Sequence, residues 1–188
     1  MKHMVVGSEY FLLSGDTVTT PFTTDIEKIP RIFPYSGANS DTAYIGLDVL
    51  KESANSRRIL FIVTTPLGGS GGQLEMDYVE RAAIRQGYQI HIVAFDGGGG
   101  AVNHEGQIFL SELSDLTGGS FTLTVPNTVI CGELARDLRV QYMIGYHPTN
   151  SAKDGKWRKL SVKLNSSLEG SKLKARIKRG YYAAKDSP

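Results

Sequence analysis

A chain of 188 residues with a net charge of +2 suits one domain, or one domain with a small appendage. A chain of this length can bury a hydrophobic core without disulfide or metal cross-links. The single cysteine, Cys131, excludes an intramolecular disulfide and gives no sign of a disulfide-built secreted scaffold, so a cytoplasmic location is expected. The apolar runs at 59–63 and 89–95 are far shorter than the roughly 20 residues of a membrane span. Residues 1–6 lack the apolar block of a secretory signal, so no membrane partner is predicted.

Charge is distributed unevenly along the chain. Residues 151–188 contain eleven Lys and Arg against three Asp and Glu, whereas residues 1–150 contain ten against sixteen. A basic tail of this kind is able to bind anions. However, Lys172, Lys174 and Arg176 alternate with apolar residues, which is typical of the exposed face of a strand. The alternation favours the strand, and no nucleic-acid partner is predicted.

The elements at the start of the chain form a hairpin followed by a helix. Residues 9–14 are apolar and aromatic, Gly15 and Asp16 make a turn, and residues 17–23 are β-branched. Residues 42–52 space their apolar side chains helically after a Gly/Asn/Ser turn that can cap the helix.

The middle of the chain alternates strands and helices. Strands are predicted at 59–65, 88–95 and 120–125, and helices at 74–86, 107–116 and 127–139, the last capped by Asn127. Strands joined by such crossovers are parallel, and the first two are expected to be buried on both faces.

After residue 139 the pattern changes to three strand-like stretches, 141–146, 156–164 and 173–181, separated by turn residues. The predicted fold class is therefore α/β. It consists of a Rossmann-like, mostly parallel sheet with flanking helices over residues 1–139 and a C-terminal antiparallel β appendage over residues 140–188. The two parts are expected to pack as one structural unit.

This order of elements, with the closing runs QYMIGYHPTN, DGKWRKLSVKL and LKARIKRGYYA, resembles the von Willebrand factor A-related (VWA) proteins of acidobacterial type. The resemblance covers nearly the whole chain and is strongest over residues 138–183. It implies a truncated VWA domain, because the chain begins at what resembles the second strand of the family. The first strand and the Asp-x-Ser-x-Ser motif that follows it have no counterpart.

The resemblance also bears on metal binding and assembly. The family holds a divalent cation through that motif, a threonine before a helix and an aspartate after the fourth strand, which are the oxygen ligands hard cations prefer. Here only Thr42 matches, and Thr65 stands at the aspartate position. Neither a metal nor a cofactor is therefore predicted. Because the missing strand is central in the family, its place must be filled by rearranged pairing or by a second copy, and a homodimer is predicted.

Candidate catalytic residues converge on the carboxyl edge of the predicted sheet, where sites form in such folds. Cys131 falls in the first turn of the last predicted helix, where free N–H groups and the helix dipole favour a thiolate. The strand that follows is expected to return His147 to Cys131 as a base; the family has tyrosine there. The family topology brings Asp16 toward His147 to orient the imidazole, with Asp96 as the alternative.

The predicted function is hydrolysis of small carboxylic esters by a Cys131 nucleophile, a His147 base and an Asp16 orienter, with backbone amides holding the oxyanion. Ser70 is an alternative nucleophile, since residues 68–72 match Gly-x-Ser-x-Gly between a strand and a helix. The resemblance alone implies a different function, a non-enzymatic protein-binding module without a metal site.

Each side chain of the triad also has a plainer interpretation. Lone cysteines are usually inert core residues, His147 suits a polar strand end, and Asp16 suits a turn. Of the other histidines, His91 in a strand interior is predicted to be structural, and His104 is a loop residue without an evident partner.

Overall fold

The computed structural model describes residues 9–14, 17–28, 40–64, 73–95, 104–124, 129–142, 144–164 and 175–185. The strands within these ranges are β1 Tyr10–Ser14, β2 Thr17–Thr23, β3 Ile59–Thr64, β4 Gln89–Phe95, β5 Phe121–Thr124, β6 Trp157–Lys159 and β7 Gly180–Tyr182. The helices are α1 Ser40–Val49, α2 Gln73–Gln86, α3 His104–Thr117 and α4 Val129–Arg139, and short 3-10 turns lie at Ile26–Lys28 and Leu50–Glu52.

A three-stranded parallel sheet in the order β3-β4-β5 forms the centre of the described fold. Its strands are joined through α2 and α3, because parallel neighbours need a crossover long enough to return the chain to the same edge. The chain is thus mixed α/β, with a parallel sheet flanked by helices and small antiparallel sheets beside it. The predicted α/β class is confirmed at this level.

The hydrophobic core lies on one face of this sheet. Alternate residues of β3 and β4 point to that face, where α1, α2 and α3 cover them. The buried cluster consists of Ala43, Leu47, Leu50, Leu60, Ile62, Val79, Ala83, Tyr88, Ile90, Ile92 and Leu113. Each large side chain in such a cluster contributes about 1.5–3 kcal/mol by leaving water.

Burial differs between the two strands that were expected to be covered on both faces. The five interior residues of β4 are all buried, as predicted. In β3, however, Leu60 and Ile62 are buried while Phe61 and Val63 are exposed. The expectation is wrong for β3, because helices α1 to α3 gather on the face that Leu60 and Ile62 share.

The predicted N-terminal hairpin is present as a separate two-stranded sheet. Strands β1 and β2 are antiparallel, with Ser14 opposite Thr17. Phe11 packs against the core cluster, and the Ser53 hydroxyl donates to the Glu9 carboxylate at 2.9 Å. The predicted turn residues Gly15 and Asp16 lie outside the described residues.

The C-terminal part contains one antiparallel ribbon, defined as residues 154–160 paired with 179–185. Strands β6 and β7 form its middle, and backbone bonds such as Ala183 N–H to the Lys156 carbonyl (2.9 Å) continue it. The second predicted strand of the appendage, 156–164, is therefore present but shorter. The third, predicted at 173–181, is shorter and lies later, since residues 175–179 are not strand and β7 covers only Gly180–Tyr182. The ribbon packs on the domain through Arg85, whose guanidinium lies 5.3 Å from the Tyr182 ring centre.

The prediction of a first appendage strand at 141–146 is wrong, because residues 140–142 and 144–150 form no helix or strand. Their apolar alternation suits a strand, but a strand also needs a neighbour to satisfy its backbone. In the described part of the chain no strand pairs with this segment.

No helix within the described residues is both long enough and apolar enough to cross a membrane.

Candidate functional site

The carboxyl edge of the parallel sheet is where the sequence places the catalytic residues. There β3 ends at Thr64, β4 at Phe95 and β5 at Thr124. The segments that follow, 65–72, 96–103 and 125–128, are outside the described residues. The predictions made for Ser70, Thr65, Asp96 and the Asn127 cap therefore stay predictions, as does the one for Asp16.

Cys131 is the third residue of α4, so its predicted position in the first turn of the last helix is confirmed for the main chain. The described contacts of α4 lie at its other end. There the Arg57 guanidinium donates to the Leu138 carbonyl at 3.2 Å, and Asp137 pairs with Arg176 at 3.0 Å. Arg57 lies two residues before β3, so the C-terminal end of α4 lies at the amino edge of the sheet and Cys131 lies toward the carboxyl edge. The structure describes the main chain of Cys131 but not its side chain.

His147 is exposed in the irregular segment after α4. Its neighbour Tyr146 meets Tyr181 of β7 edge-on, with ring centres 6.3 Å apart. Strand β7 lies near the C-terminal ends of α2 and α3, because Tyr182 contacts Arg85 of α2 and Arg179 N–H donates to the Leu116 carbonyl of α3 at 3.1 Å. Those helix ends belong to the amino edge. The described contacts of this segment thus lie at the edge opposite the first turn of α4.

The return of His147 to Cys131 was argued from a strand over 141–146, and that strand is absent. Asp16 is not described, and the described contacts give the Cys131–His147–Asp16 triad no support. The triad stays a prediction. Thr42, the one residue that matches the family's metal motif, is in the first turn of α1. Within the described ranges, no three His, Cys, Asp or Glu side chains are grouped so as to hold a metal ion.

The other two histidines named from the sequence are also placed. His104 is the first residue of α3 and is exposed, so it belongs to a helix end and not to a loop. His91 lies in the middle of the sheet, 2 % exposed, and the predicted structural role fits this position.

His91 makes two contacts on the face of the sheet opposite the core cluster. Its Nδ1 is 2.8 Å from the Ser120 hydroxyl oxygen, and its ring stacks on Phe61 at 5.2 Å. No described group lies within hydrogen-bonding distance of Nε2. Burial lowers the pKa of His91 from 6.5 to about 4, and the charge of Arg176 acts in the same direction. His91 is therefore neutral near pH 7.

The most conspicuous surface is one that the sequence assigned to a paired strand. We define the C-terminal stripe as Val140, Tyr142, Ile144 and Tyr146. These side chains are 64 %, 90 %, 75 % and 52 % exposed. Single exposed apolar residues are ordinary, but four large exposed apolar side chains between residues 140 and 146 are a concentration of apolar surface, and such concentrations mark interaction surfaces. The sequence shows the alternation of apolar residues in this segment. That their side chains are exposed to solvent follows only from the folded structure.

Basic side chains lie beside the Tyr146 end of this stripe. Tyr146 contacts Tyr181, and the Lys178 ammonium lies 5.9 Å from the Tyr181 ring centre. Lys156 of the ribbon, on the same face as Tyr181, is exposed as well. A partner for this region would carry apolar side chains and carboxylates.

A second exposed surface has the opposite charge. We define the acidic helix face as Tyr44 of α1, Asp77, Tyr78 and Glu80 of α2, and Ile108 and Glu112 of α3. The rings of Tyr44 and Tyr78 are 5.3 Å apart, and Tyr78 and Ile108 are 57 % and 59 % exposed. Partial burial raises the pKa of Glu80, and the charges of Asp77 and Glu112 raise it further. The carboxylates of this face therefore repel one another, and Arg81, 4.0 Å from Asp77, offsets part of their charge.

Comparison with known proteins found no matching family model, no matching curated protein and no matching solved structure.

Proposed function

We propose that the chain is a protein-binding module of the metal-free VWA type. Its C-terminal stripe takes up a polypeptide segment that carries apolar and acidic side chains. The observation that carries the proposal is the exposure of the four stripe residues beside a basic ribbon. The order of hairpin, helix and alternating β and α units agrees with the VWA resemblance. It supports the part of the proposal that concerns the fold.

An extended partner suits this surface for two reasons. The described residues of the stripe segment form no strand in the free chain, but their spacing by two brings the apolar side chains to one face once the segment becomes extended against a partner strand, and main-chain bonds to that strand then add to the affinity. Each stripe residue that becomes fully buried contributes about 1.5–3 kcal/mol before the costs of association. The lysines add attraction that weakens as salt rises.

A peptide-binding measurement tests this function. We expect a fluorescein-labelled ten-residue peptide alternating Glu and Val to bind in the micromolar range by fluorescence anisotropy. A matched peptide alternating Lys and Val is expected not to bind. Replacing Tyr142 or Ile144 by Thr should weaken binding about tenfold, since a loss of 1.4 kcal/mol is one decade. Both side chains are exposed, so neither change disturbs the core.

The control is Val18→Thr, which removes an exposed apolar side chain from β2, away from the stripe, and keeps the β-branch. It should leave the affinity unchanged. Equal binding of the acidic and basic peptides, or equal affinity in the parent and the Tyr142 variant, would contradict the proposed function.

Ester hydrolysis is the second candidate, and the position of Cys131 in the first turn of α4 favours it. In this mechanism the imidazole of His147 takes the thiol proton and the thiolate attacks the acyl carbon. The alcohol then leaves with that proton, and water cleaves the thioester to release the acid. Backbone N–H groups would stabilise the oxyanion.

The hydrolase candidate predicts turnover of p-nitrophenyl acetate above the buffer rate, followed as release of p-nitrophenolate. Cys131→Ala is expected to lose at least about 100-fold, because it removes the nucleophile. His147→Ala should lose the esterase activity as well, because it removes the base that takes the thiol proton. No turnover by the parent would eliminate the candidate. Loss in Ser70→Ala with full activity in Cys131→Ala would make Ser70 the nucleophile.

A further inference from the structure

The chemistry that the C-terminal stripe requires of a partner is present on the chain itself. The acidic helix face combines exposed Tyr78 and Ile108 with the carboxylates of Asp77, Glu80 and Glu112. The stripe combines exposed apolar side chains with Lys178, whose ammonium lies over Tyr181, and with the exposed Lys156 on the same face of the ribbon. The two surfaces are complementary both in charge and in apolar character.

The ribbon separates the two surfaces within one molecule. Tyr182 lies against Arg85 at the C-terminal end of α2, whereas its neighbour Tyr181 contacts Tyr146 of the stripe. Successive side chains of a strand point to opposite faces, so the stripe lies on the side of the ribbon away from α2. Intramolecular contact is therefore blocked, and the two surfaces can meet only between molecules.

We propose that the partner is a second copy of this chain, bound head to tail, with the C-terminal stripe and ribbon of one copy on the acidic helix face of the next. This inference rests on the proposed function, because it names the partner of the same stripe. The contact joins two different surfaces, so a bound pair still has one free stripe on one copy and one free acidic face on the other. Such a contact extends into rings or open chains, unlike a symmetric dimer.

Light scattering coupled to size exclusion tests the assembly. The mass is expected to rise above the 20.5 kDa of the monomer as concentration increases, and to fall back when salt is raised. A stripe variant, Tyr142→Thr with Ile144→Thr, should be monomeric. A face variant, Tyr78→Thr with Glu112→Lys, should be monomeric as well. All four positions are exposed, and circular dichroism verifies that both variants are folded.

Mixing the two variants is the decisive step. The stripe variant keeps an intact acidic face and the face variant keeps an intact stripe, so an equimolar mixture is expected to form one contact and stop at a 1:1 dimer. A symmetric stripe-to-stripe contact would instead leave the face variant assembled on its own, and that result would overturn the proposal. Glu52→Lys, a charge reversal at an exposed site off the acidic face, is the matched control and should assemble like the parent.

The outcomes of these experiments distinguish the second-copy partner from the proposed peptide-binding function. A parent that remains monomeric up to about 0.5 mM but binds the Glu/Val peptide would overturn the second-copy partner and leave the binding function in place. Assembly that persists in the stripe variant would overturn the inference as well. A parent that neither assembles nor binds the peptide would refute both proposals.

Discussion

Replacing Gly119 by alanine is expected to lower the free energy of unfolding by roughly 3–5 kcal/mol, the range of the most damaging single substitutions. A Cβ at this position would lie far inside the van der Waals distance of the Ile90 carbonyl oxygen, 2.5 Å from the Ile90 carbonyl carbon and 3.2 Å from the His91 nitrogen. All three are backbone atoms of β4, which cannot rotate away as a side chain can.

Hydrogen bonds prevent Gly119 from retreating. Its N–H donates to the Ser114 carbonyl at 2.8 Å, and the adjacent Ser120 carbonyl accepts from Ile92 N–H at 2.8 Å. To relieve the clash, the chain must either separate β5 from β4 or pull away from the end of α3. Each movement breaks bonds in the buried centre of the fold.

A second glycine supplies the matched control. Gly132 of α4 has no atom within 4 Å of an added Cβ, and alanine is favoured over glycine in a helix by about 0.8–1 kcal/mol. Urea unfolding followed by circular dichroism should therefore show Gly119→Ala strongly destabilised and Gly132→Ala unchanged or slightly stabilised. Equal midpoints for the two variants would contradict the packing of β4 against the start of β5.

Local pattern was sufficient for most elements of this fold. The hairpin, the βαβ units and the helices follow from period-two stretches, short apolar runs and helical spacing, and they lie within a few residues of their predicted positions. These signals depend on neighbours in sequence, so the rest of the chain does not alter them.

The misjudged features all depend on distant parts of the chain. Phe61 is exposed because the helices α1 to α3 lie on the other face of the sheet. A run of apolar residues does not indicate which face the helices will cover. Segment 141–146 has a strand pattern, but pairing needs a neighbour whose position is decided elsewhere. The argument that brings His147 near Cys131 relied on that strand, so the approach of the two side chains stays a prediction. For the same reason the exposed stripe could not be foreseen.

His91 shows how register decides what a residue contacts. Ile92 lies opposite Phe121 in the parallel pairing of β4 and β5, which brings His91 beside Ser120 one position earlier. Sequence alone placed the imidazole in a strand interior. Its bond to Ser120 follows from that register, and its stacking on Phe61 follows from the β3–β4 register, in which Phe61 lies opposite His91. Burial between these neighbours lowers its pKa.

Acid is expected to destabilise the protein through His91, and the sign follows from its lowered pKa. The unfolded chain binds a proton at His91 near pH 6.5, whereas the folded chain does so only near pH 4. The unfolded state therefore binds more protons between these values. Stability is fully present above pH 6.5 and falls by about 3 kcal/mol as the pH drops to 4.

Comparing the parent with His91→Gln isolates this contribution, because glutamine can still bond Ser120 but does not titrate. Carboxylates titrate in both proteins and cancel in the difference. Urea unfolding from pH 7 to pH 4 should show the stability advantage of the parent shrinking by about 3 kcal/mol, most of it below pH 6. Imidazole NMR resonances provide a direct measure, with the His91 titration centred near pH 4. Parallel pH profiles for the two proteins, or a midpoint near 6.5, would mean that His91 is hydrated in solution and that the face it shares with Phe61 is open around it.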